Sequence, residues 1–307
     1  MALHGLSSVT VGVPNLAETR DYYTDFGLAP GEDGWLSTRD GGRQLRLVQA
    51  PTRRLVELVV RAEHFDDLGV ISDRLTRLGV RVSLEADHLT AYEPVAGFRV
   101  TVRVAEPLRQ ESSPAPVPNG PGRIARATER APGVLRADPV RPRKLGHVVI
   151  GSVDQPATQR FFTKGLGFKL SDEIAGRAAF LRCSTDHHNV LVMSGPVNFL
   201  HHSSWQVDDL DEVGRGATGM LDGHPERHVW GLGRHHAGSN FFWYLKDPAG
   251  NFSEYYSDMD CIVDDQLWTP EAVEGAKGLF SWGPPPPPSF LEPEDLAALM
   301  TGAHQAG

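Results

Sequence analysis

His147, His202 and Glu254 each stand within a short apolar, strand-like run, and Tyr244 and His235 precede the glutamate by ten and nineteen residues. Two neutral imidazoles and one carboxylate are the ligand set of the facial triad that holds Fe(II) with coordination positions left open. A lone strand histidine is more often a packed, hydrogen-bonded side chain than a ligand. Glu254 argues the other way, because it shares a strand face with Phe252 and Tyr256, where an ionised carboxylate is costly to bury without a counter-charge. The expectation is an oxygen-activating metalloenzyme.

Composition agrees with small-molecule chemistry. The chain has 307 residues, enough for two domains, and a formal charge of −9 from 39 acidic and 30 basic side chains. No basic run suited to phosphates is present, so nucleic acid is not an expected partner. Thirteen histidines beside only two cysteines, Cys183 and Cys261, favour imidazole and carboxylate ligation over a disulfide framework. The start, MALHGLSSVTVGV, lacks the basic residues and long apolar stretch of a signal peptide, and no segment approaches the roughly 20 apolar residues of a membrane span. A cytoplasmic protein without a membrane partner is expected.

The elements that must hold these residues are visible as repeats. Residues 107–143 are crowded with proline and arginine and read as a connector without regular structure. On its two sides LSSVTVGVPNLAETRDYYTDFGL answers LGHVVIGSVDQPATQRFFTKGLGF: a β-branched strand, a turn, then an amphipathic helix with an aromatic pair, Tyr22–Tyr23 or Phe161–Phe162. Asn15 ahead of Glu18 has capping-box spacing, and Asp154 ahead of Pro156 marks the other helix start. HFDDLGVISDRLTRLGV likewise answers QVDDLDEVGRGATGML. The economical fold is α+β, a strand–helix–strands unit present four times, two per half. The predicted divisions are 1–106, a metal-free paired-module domain; 107–143, the linker; 144–260, the metal-binding domain; and 261–307, a tail. Its WGPPPPP run is stiff as polyproline II and is expected to close over a pocket or mediate oligomer contacts.

Comparing the halves localises the chemistry. Aligning Tyr23 with Phe162 sets Ser8 opposite His147; aligning the two Asp-Asp-Leu triplets sets Val60 opposite His202; and GFRV sets Val100 near Glu254. By this alignment only the C-terminal half keeps ligands. The DPAGN turn should fold FFWYL against FSEYY as a hairpin and bring Tyr244 toward Glu254. Strand alternation lets one of His201 and His202 enter the cavity, and turns His187 away from the side His188 faces.

LGHVVI, DHHNVLVM, FLHHSSWQVDDL, GRHHAGSNFFWYLKDPAGNFSEYYSD and WGPPPPP, spread over residues 145–288, resemble the type I extradiol ring-cleaving dioxygenases of the vicinal oxygen chelate superfamily, in particular the two-domain enzymes acting on dihydroxybiphenyl and other catechols. The N-terminal half resembles their metal-free domain more loosely. The resemblance implies two barrel domains of paired βαβββ modules, and extradiol cleavage of a catechol by O2 at a mononuclear Fe(II) or Mn(II), giving a muconic semialdehyde-type product in a homo-oligomer. It selects His202 over His201 as ligand beside His147 and Glu254. It implies proton handling by His188, hydrogen bonding to substrate oxygens by His235 and Tyr244, and a ring pocket walled by Val149 and Phe180, with His201 a further pocket or supporting residue. Two other classes are weighed: a non-redox divalent-metal isomerase or thiol transferase, and a small-molecule binding protein of the same fold.

Overall fold

The computed structural model describes residues 3–114 and 117–304. Four times the chain runs strand, helix, then three strands. The first module has strands Leu3–Val13, Ala29–Pro30, Trp35–Thr38 and Gly42–Gln49 around helix Leu16–Asp25; the second has Arg54–Ala62, Val82–Leu84, His88–Tyr92 and Arg99–Val104 around helix Phe65–Arg77. The third has Lys144–Ser152, Lys169–Ile174, Ala178–Arg182 and Val190–Ser194, with helix Gln155–Arg160 widening into a π-type segment Phe161–Leu166. The fourth has Phe199–Gln206, His228–Arg234, Phe241–Lys246 and Phe252–Ser257 around helix Leu210–Leu221.

Each half forms one mixed sheet with the same internal symmetry. The opening strands of its two modules pair antiparallel at the centre, and each is flanked in parallel by the closing strand of its own module. The C-terminal sheet gains a ninth strand, Ala272–Val273, from the tail. Lys144–Ser152 is buried almost throughout, as a central strand covered on both faces should be. Among the described residues no helix is long and apolar enough to cross a membrane.

The halves share a core. Tyr22 and Tyr23 of the first helix and Phe26 at its C-terminal end lie against the C-terminal sheet, where Phe26 stacks on Tyr255 at 3.8 Å between centroids and Tyr22 Oη meets Ser253 Oγ at 2.6 Å. The second aromatic pair, Phe161–Phe162, is buried in the same core. A Cβ at Gly165 would sit 2.6 Å from Leu75 Cδ2 of the N-terminal half, so the π-type segment packs against that helix closely enough that a side chain here would force the leucine to move. Arg53, itself buried, donates to the Leu200 carbonyl, Asn251 and Asp295, tying the second module to the strand that carries His202 and to the tail.

Three expectations are corrected. Asn15 is the first helix's N-cap residue, but its side chain makes no capping bond; its amide donates across the molecule to the Pro248 carbonyl instead. Asp154 does cap its helix, accepting from Ala157 N. The connector is not wholly irregular, since Pro132–Leu135 forms one short helix and the following Arg136 pairs with Asp209.

The third correction concerns the internal alignment. Ser8 is the counterpart of His147, since it pairs with Val59 as His147 pairs with Ser204. Glu57 pairs with Thr10 as His202 pairs with Val149, and Val59 lies beside Thr101 as Ser204 lies beside Glu254. The counterparts of His202 and Glu254 are therefore Glu57 and Thr101, not Val60 and Val100. The Asp-Asp-Leu triplets misalign because they play different parts: Asp209 is itself an N-cap, whereas the N-terminal N-cap is His64 and Asp67 bonds back to its amide from within the helix. Glu57 is satisfied by Arg99 at 2.9 Å and Thr101 at 2.7 Å, so an arginine stands where a cation would be needed.

Because Phe26 joins the two halves, Phe26→Ala should cost about 3–5 kcal/mol, as a buried aromatic truncation does, and Tyr22→Phe about 1 kcal/mol. Urea unfolding measures both. A Phe26→Ala loss below about 1 kcal/mol would show that the halves do not depend on this contact.

Candidate metal centre

Sheet register gathers the candidate residues on one face. Ser204 is paired with His147 on one side and with Glu254 on the other, while His202 lies two residues earlier on the same strand. Period-two alternation sends all of these side chains to one side. Val149 is opposite His202, and Tyr244 is opposite Glu254 across the hairpin closed by Asp247–Asn251. The predicted approach of Tyr244 to Glu254 is thus a direct cross-strand pair.

Glu254 is fully buried, and His147 and His202 are 2% and 4% exposed. Glu254 Oε2 lies 3.1 Å from His147 Nε2 and 3.6 Å from His202 Nε2, and the two nitrogens are 3.4 Å apart. Oε2 has no well-formed hydrogen bond, although Oε1 accepts one from Asn240 at 3.2 Å. Among the described residues these three side chains are the group whose donor atoms converge closely enough to hold a metal ion. An orphaned carboxylate oxygen facing two imidazole nitrogens in a buried site fits a divalent cation. Burial works to raise the carboxyl pKa of Glu254, but its neighbours, His147 foremost, outweigh burial and hold the group well below the usual carboxylate range. Burial drives His202 well below the ordinary histidine value, so its imidazole is neutral and able to ligate.

Neighbouring side chains fix which nitrogen faces inward. His201 Nε2 contacts the Phe290 carbonyl at 2.6 Å and must donate to it, so His201 Nδ1 accepts from His202 Nδ1 at 2.7 Å. His202 is left with an Nε2 lone pair aimed at the centre. Burial lowers the pKa of His201 to about 4, which keeps it neutral in this role. Strict alternation had allowed only one ring of this pair near the cavity. A register shift between Leu200 and His202 adds a residue, and both rings lie at its wall. His201 arrives there with both nitrogens engaged.

His235 Nδ1 donates to the Leu279 carbonyl, and its Nε2 therefore accepts from Tyr244 Oη at 2.8 Å. Burial, then the Glu254 charge, pushes the Tyr244 pKa well up and keeps the phenol protonated. His236 turns outward toward Glu271. His188 lies with its ring centroid 4.1 Å from that of His147 and edge-on to Phe180. The DHHN segment precedes strand Val190–Ser194 rather than belonging to it, so alternation does not govern His187; its ring is buried and contacts His188 Nδ1 at 3.1 Å.

All of this opens on a cavity of about 810 Å³, in the upper part of the usual range for ligand sites. Its apolar walls include Val149, Phe180, Leu191, Met193, Leu279 and Phe290. The last two belong to the tail, which closes over the pocket, and Phe290 packs on His201, Tyr244 and Trp230. Sequence reasoning missed Asn240, the Phe290 carbonyl and the Asp172 carboxylate behind His187. Asn240 stands in the same motif as Tyr244; the other two act through long-range contacts that no local pattern announces.

Residues 144–255 match the Glyoxalase/Bleomycin resistance protein/Dioxygenase superfamily. Metapyrocatechase 2 of Cupriavidus necator is 30% identical over 305 residues, covering 94% of this chain and 92% of the relative. An iron-dependent extradiol dioxygenase of Rhodococcus jostii is 29% identical over 139 residues, covering 40% of this chain and 46% of the relative. Among solved structures, the Mn(II)-bound glyoxalase from Novosphingobium aromaticivorans superposes with a TM-score of 0.74 at 26% identity, covering 93% of each chain.

Metal titration followed by size-exclusion and metal analysis checks the centre. The native protein should retain Fe(II) or Mn(II), whereas His147→Ala, His202→Ala and Glu254→Ala should fold yet lose it. His201→Ala should still bind, with affinity weakened about 10- to 100-fold, because it orients a ligand without being one. Unchanged retention in Glu254→Ala would remove the carboxylate from the site.

Proposed function

The chain belongs to the extradiol ring-cleaving dioxygenases of the glyoxalase/bleomycin-resistance/dioxygenase superfamily, and we propose that His147, His202 and Glu254 hold the metal at which it opens a catecholic ring outside its two hydroxyls. The observation that carries the assignment is the buried carboxylate oxygen left without a hydrogen bond beside the imidazole nitrogens of His147 and His202, two residues that line a mostly apolar cavity. Fe(II) is the proposed ion, with Mn(II) served by the same ligands. When bound it would supply a docking point for both catechol oxygens and for O2, and a path for electrons between them.

The remaining steps belong to the chain's own groups. Phe180, Val149 and Leu191 sandwich the ring and fix its angle over the floor. Tyr244, with its proton directed to His235, presents its oxygen to a substrate hydroxyl and orients it. His188, beside His147 and within the cavity wall, is placed to hold and return a proton as the ring opens. Burial keeps His188 well below its ordinary pKa, so it meets the substrate uncharged. The tail covers the site and limits water.

The cavity is larger than one ring fills, which supports a catechol with an apolar substituent directed at Met193, Leu279 and Phe290. Self-association in the cytoplasm is part of this proposal; Val263 and Leu267, 83% and 84% exposed, are apolar side chains that a second copy could cover.

The likeness to a Mn(II)-bound glyoxalase favours a second reading, non-redox chemistry at the same ion. Oxygen consumption separates the two. Iron-loaded protein with a panel of mono- and bicyclic catechols should take up one O2 per ring, place both atoms in the product, and yield a visibly absorbing hydroxy-dienal acid. His188→Phe should keep iron and catechol binding but lose turnover by about 100-fold, and Tyr244→Phe should lose a moderate factor. No O2 uptake across the panel, with iron present, would refute the dioxygenase assignment.

A further inference from the structure

Behind His188, and away from the metal centre, a buried carboxylate and a second imidazole are linked to it in series. His187 is fully buried, its Nε2 lies 2.9 Å from Asp172 Oδ2, and its Nδ1 lies 3.1 Å from His188 Nδ1. The other Asp172 oxygen, Oδ1, accepts from the backbone amide of Glu271 at 2.7 Å. Trp268 packs edge-on against the His187 ring and is itself anchored to the Ser171 carbonyl. The chain from Glu271 to His188 is therefore packed at every link and contains one group, the Asp172 carboxylate, that can only accept hydrogen bonds when ionised.

We infer that Asp172 and His187 are positioning residues that set the tautomer of His188, so that His188 presents Nε2 to the cavity as a proton acceptor. Asp172 Oδ2 requires the hydrogen on His187 Nε2. A neutral His187 then has a lone pair at Nδ1 and accepts from His188 Nδ1. A neutral His188 has its other nitrogen, Nε2, bare. The proton released when a catechol hydroxyl binds passes to that nitrogen: the substrate O–H bond breaks, an N–H bond forms, and the same proton is available for return to the product. A carboxylate that fixes an imidazole in one tautomer is the arrangement of hydrolytic triads, where losing the carboxylate's charge leaves the geometry but gives the wrong tautomer. Here the effect is transmitted through one more ring. The inference rests on the role given to His188 above.

The chemistry of the amide makes a sharp test. In Asp172→Asn the Glu271 amide still needs an acceptor, so the asparagine oxygen faces it and the NH2 faces His187. His187 Nε2 must then accept, its hydrogen moves to Nδ1, and His188 receives it at Nδ1 and carries its own hydrogen on Nε2. The polarity of the series is reversed without a change of shape. His187→Gln is the complementary variant, because a glutamine amide can donate to Asp172 and accept from His188, preserving the polarity.

Neutron diffraction from deuterium-exchanged, iron-loaded full-length protein should show deuterium on His188 Nδ1 and none on Nε2 in the native protein, and the reverse in Asp172→Asn. With a turned-over catechol, Asp172→Asn should lose kcat by about 10- to 100-fold with KM within about threefold. His187→Gln should stay within about threefold of native kcat, and His187→Leu should fall with Asp172→Asn. Native deuterium on His188 Nε2, or on both nitrogens of His187, overturns the inference, as does an unchanged His188 tautomer in Asp172→Asn. A native protein that consumes no O2 with any catechol defeats the dioxygenase assignment instead, and leaves the tautomer result to be read on its own.

Discussion

An ionised carboxylate with no exposure to water is the constraint around which the C-terminal half is arranged. Glu254 stands on an interior strand, its Oε1 satisfied by Asn240 and its Oε2 left facing two imidazole nitrogens. His202 supplies no counter-charge, since burial holds it neutral. A buried charge of this kind is tolerated when it is paired or coordinates a metal. Fold stability and metal affinity are thereby coupled: whatever cation the site binds also relieves the least favourable electrostatic feature of the sheet.

The same economy governs the adjacent histidine pairs. In His201–His202 and in His187–His188 one ring faces the centre and the other fixes its tautomer, and the outer ring is anchored by an acceptor from far along the chain: the Phe290 carbonyl in one case, Asp172 in the other. Both anchors depend on the tail. Phe290 belongs to it, and Asp172 is held by the Glu271 amide and screened by Trp268 packed on His187. The tail therefore shapes the proton inventory of the site as well as roofing it. Arg53, which joins Asp295 to the Leu200 carbonyl and Asn251, ties that roof to the N-terminal half.

Much of this was legible in the sequence, for identifiable reasons. The fourfold repeat was readable because each module must supply a central strand and one amphipathic helix, and the aromatic pairs Tyr22–Tyr23 and Phe161–Phe162 mark the first helical segment of each half. Tyr244 beside Glu254 was readable because a short turn fixes hairpin register. What failed was reasoning that needed exact register elsewhere. Alternation lets only one of His201 and His202 enter the cavity, but a bulge precedes His202 and both rings lie at its wall. Asn15 has the right spacing for a capping box, but its amide is drawn to Pro248 in the other half. The groups that set tautomers lie 15 to 99 residues from their partners, beyond any local pattern.

The misaligned counterparts make the most informative error. With Val60 and Val100 opposite His202 and Glu254, the N-terminal half would lack ligands by simple loss of polar side chains. The register instead places Glu57 and Thr101 there, with Ser8 opposite His147. A carboxylate persists on the equivalent face of the N-terminal sheet, one strand over from the position of Glu254, and it meets the same requirement for positive charge. It is answered from within the chain, by the guanidinium of Arg99 on the neighbouring strand, with Thr101 supplying a further hydrogen bond. A fixed, bidentate arginine satisfies the charge permanently and leaves no open position for a ligand. The two halves thus solve one electrostatic problem on one backbone plan in opposite ways, and only the C-terminal solution leaves a carboxylate oxygen free to coordinate.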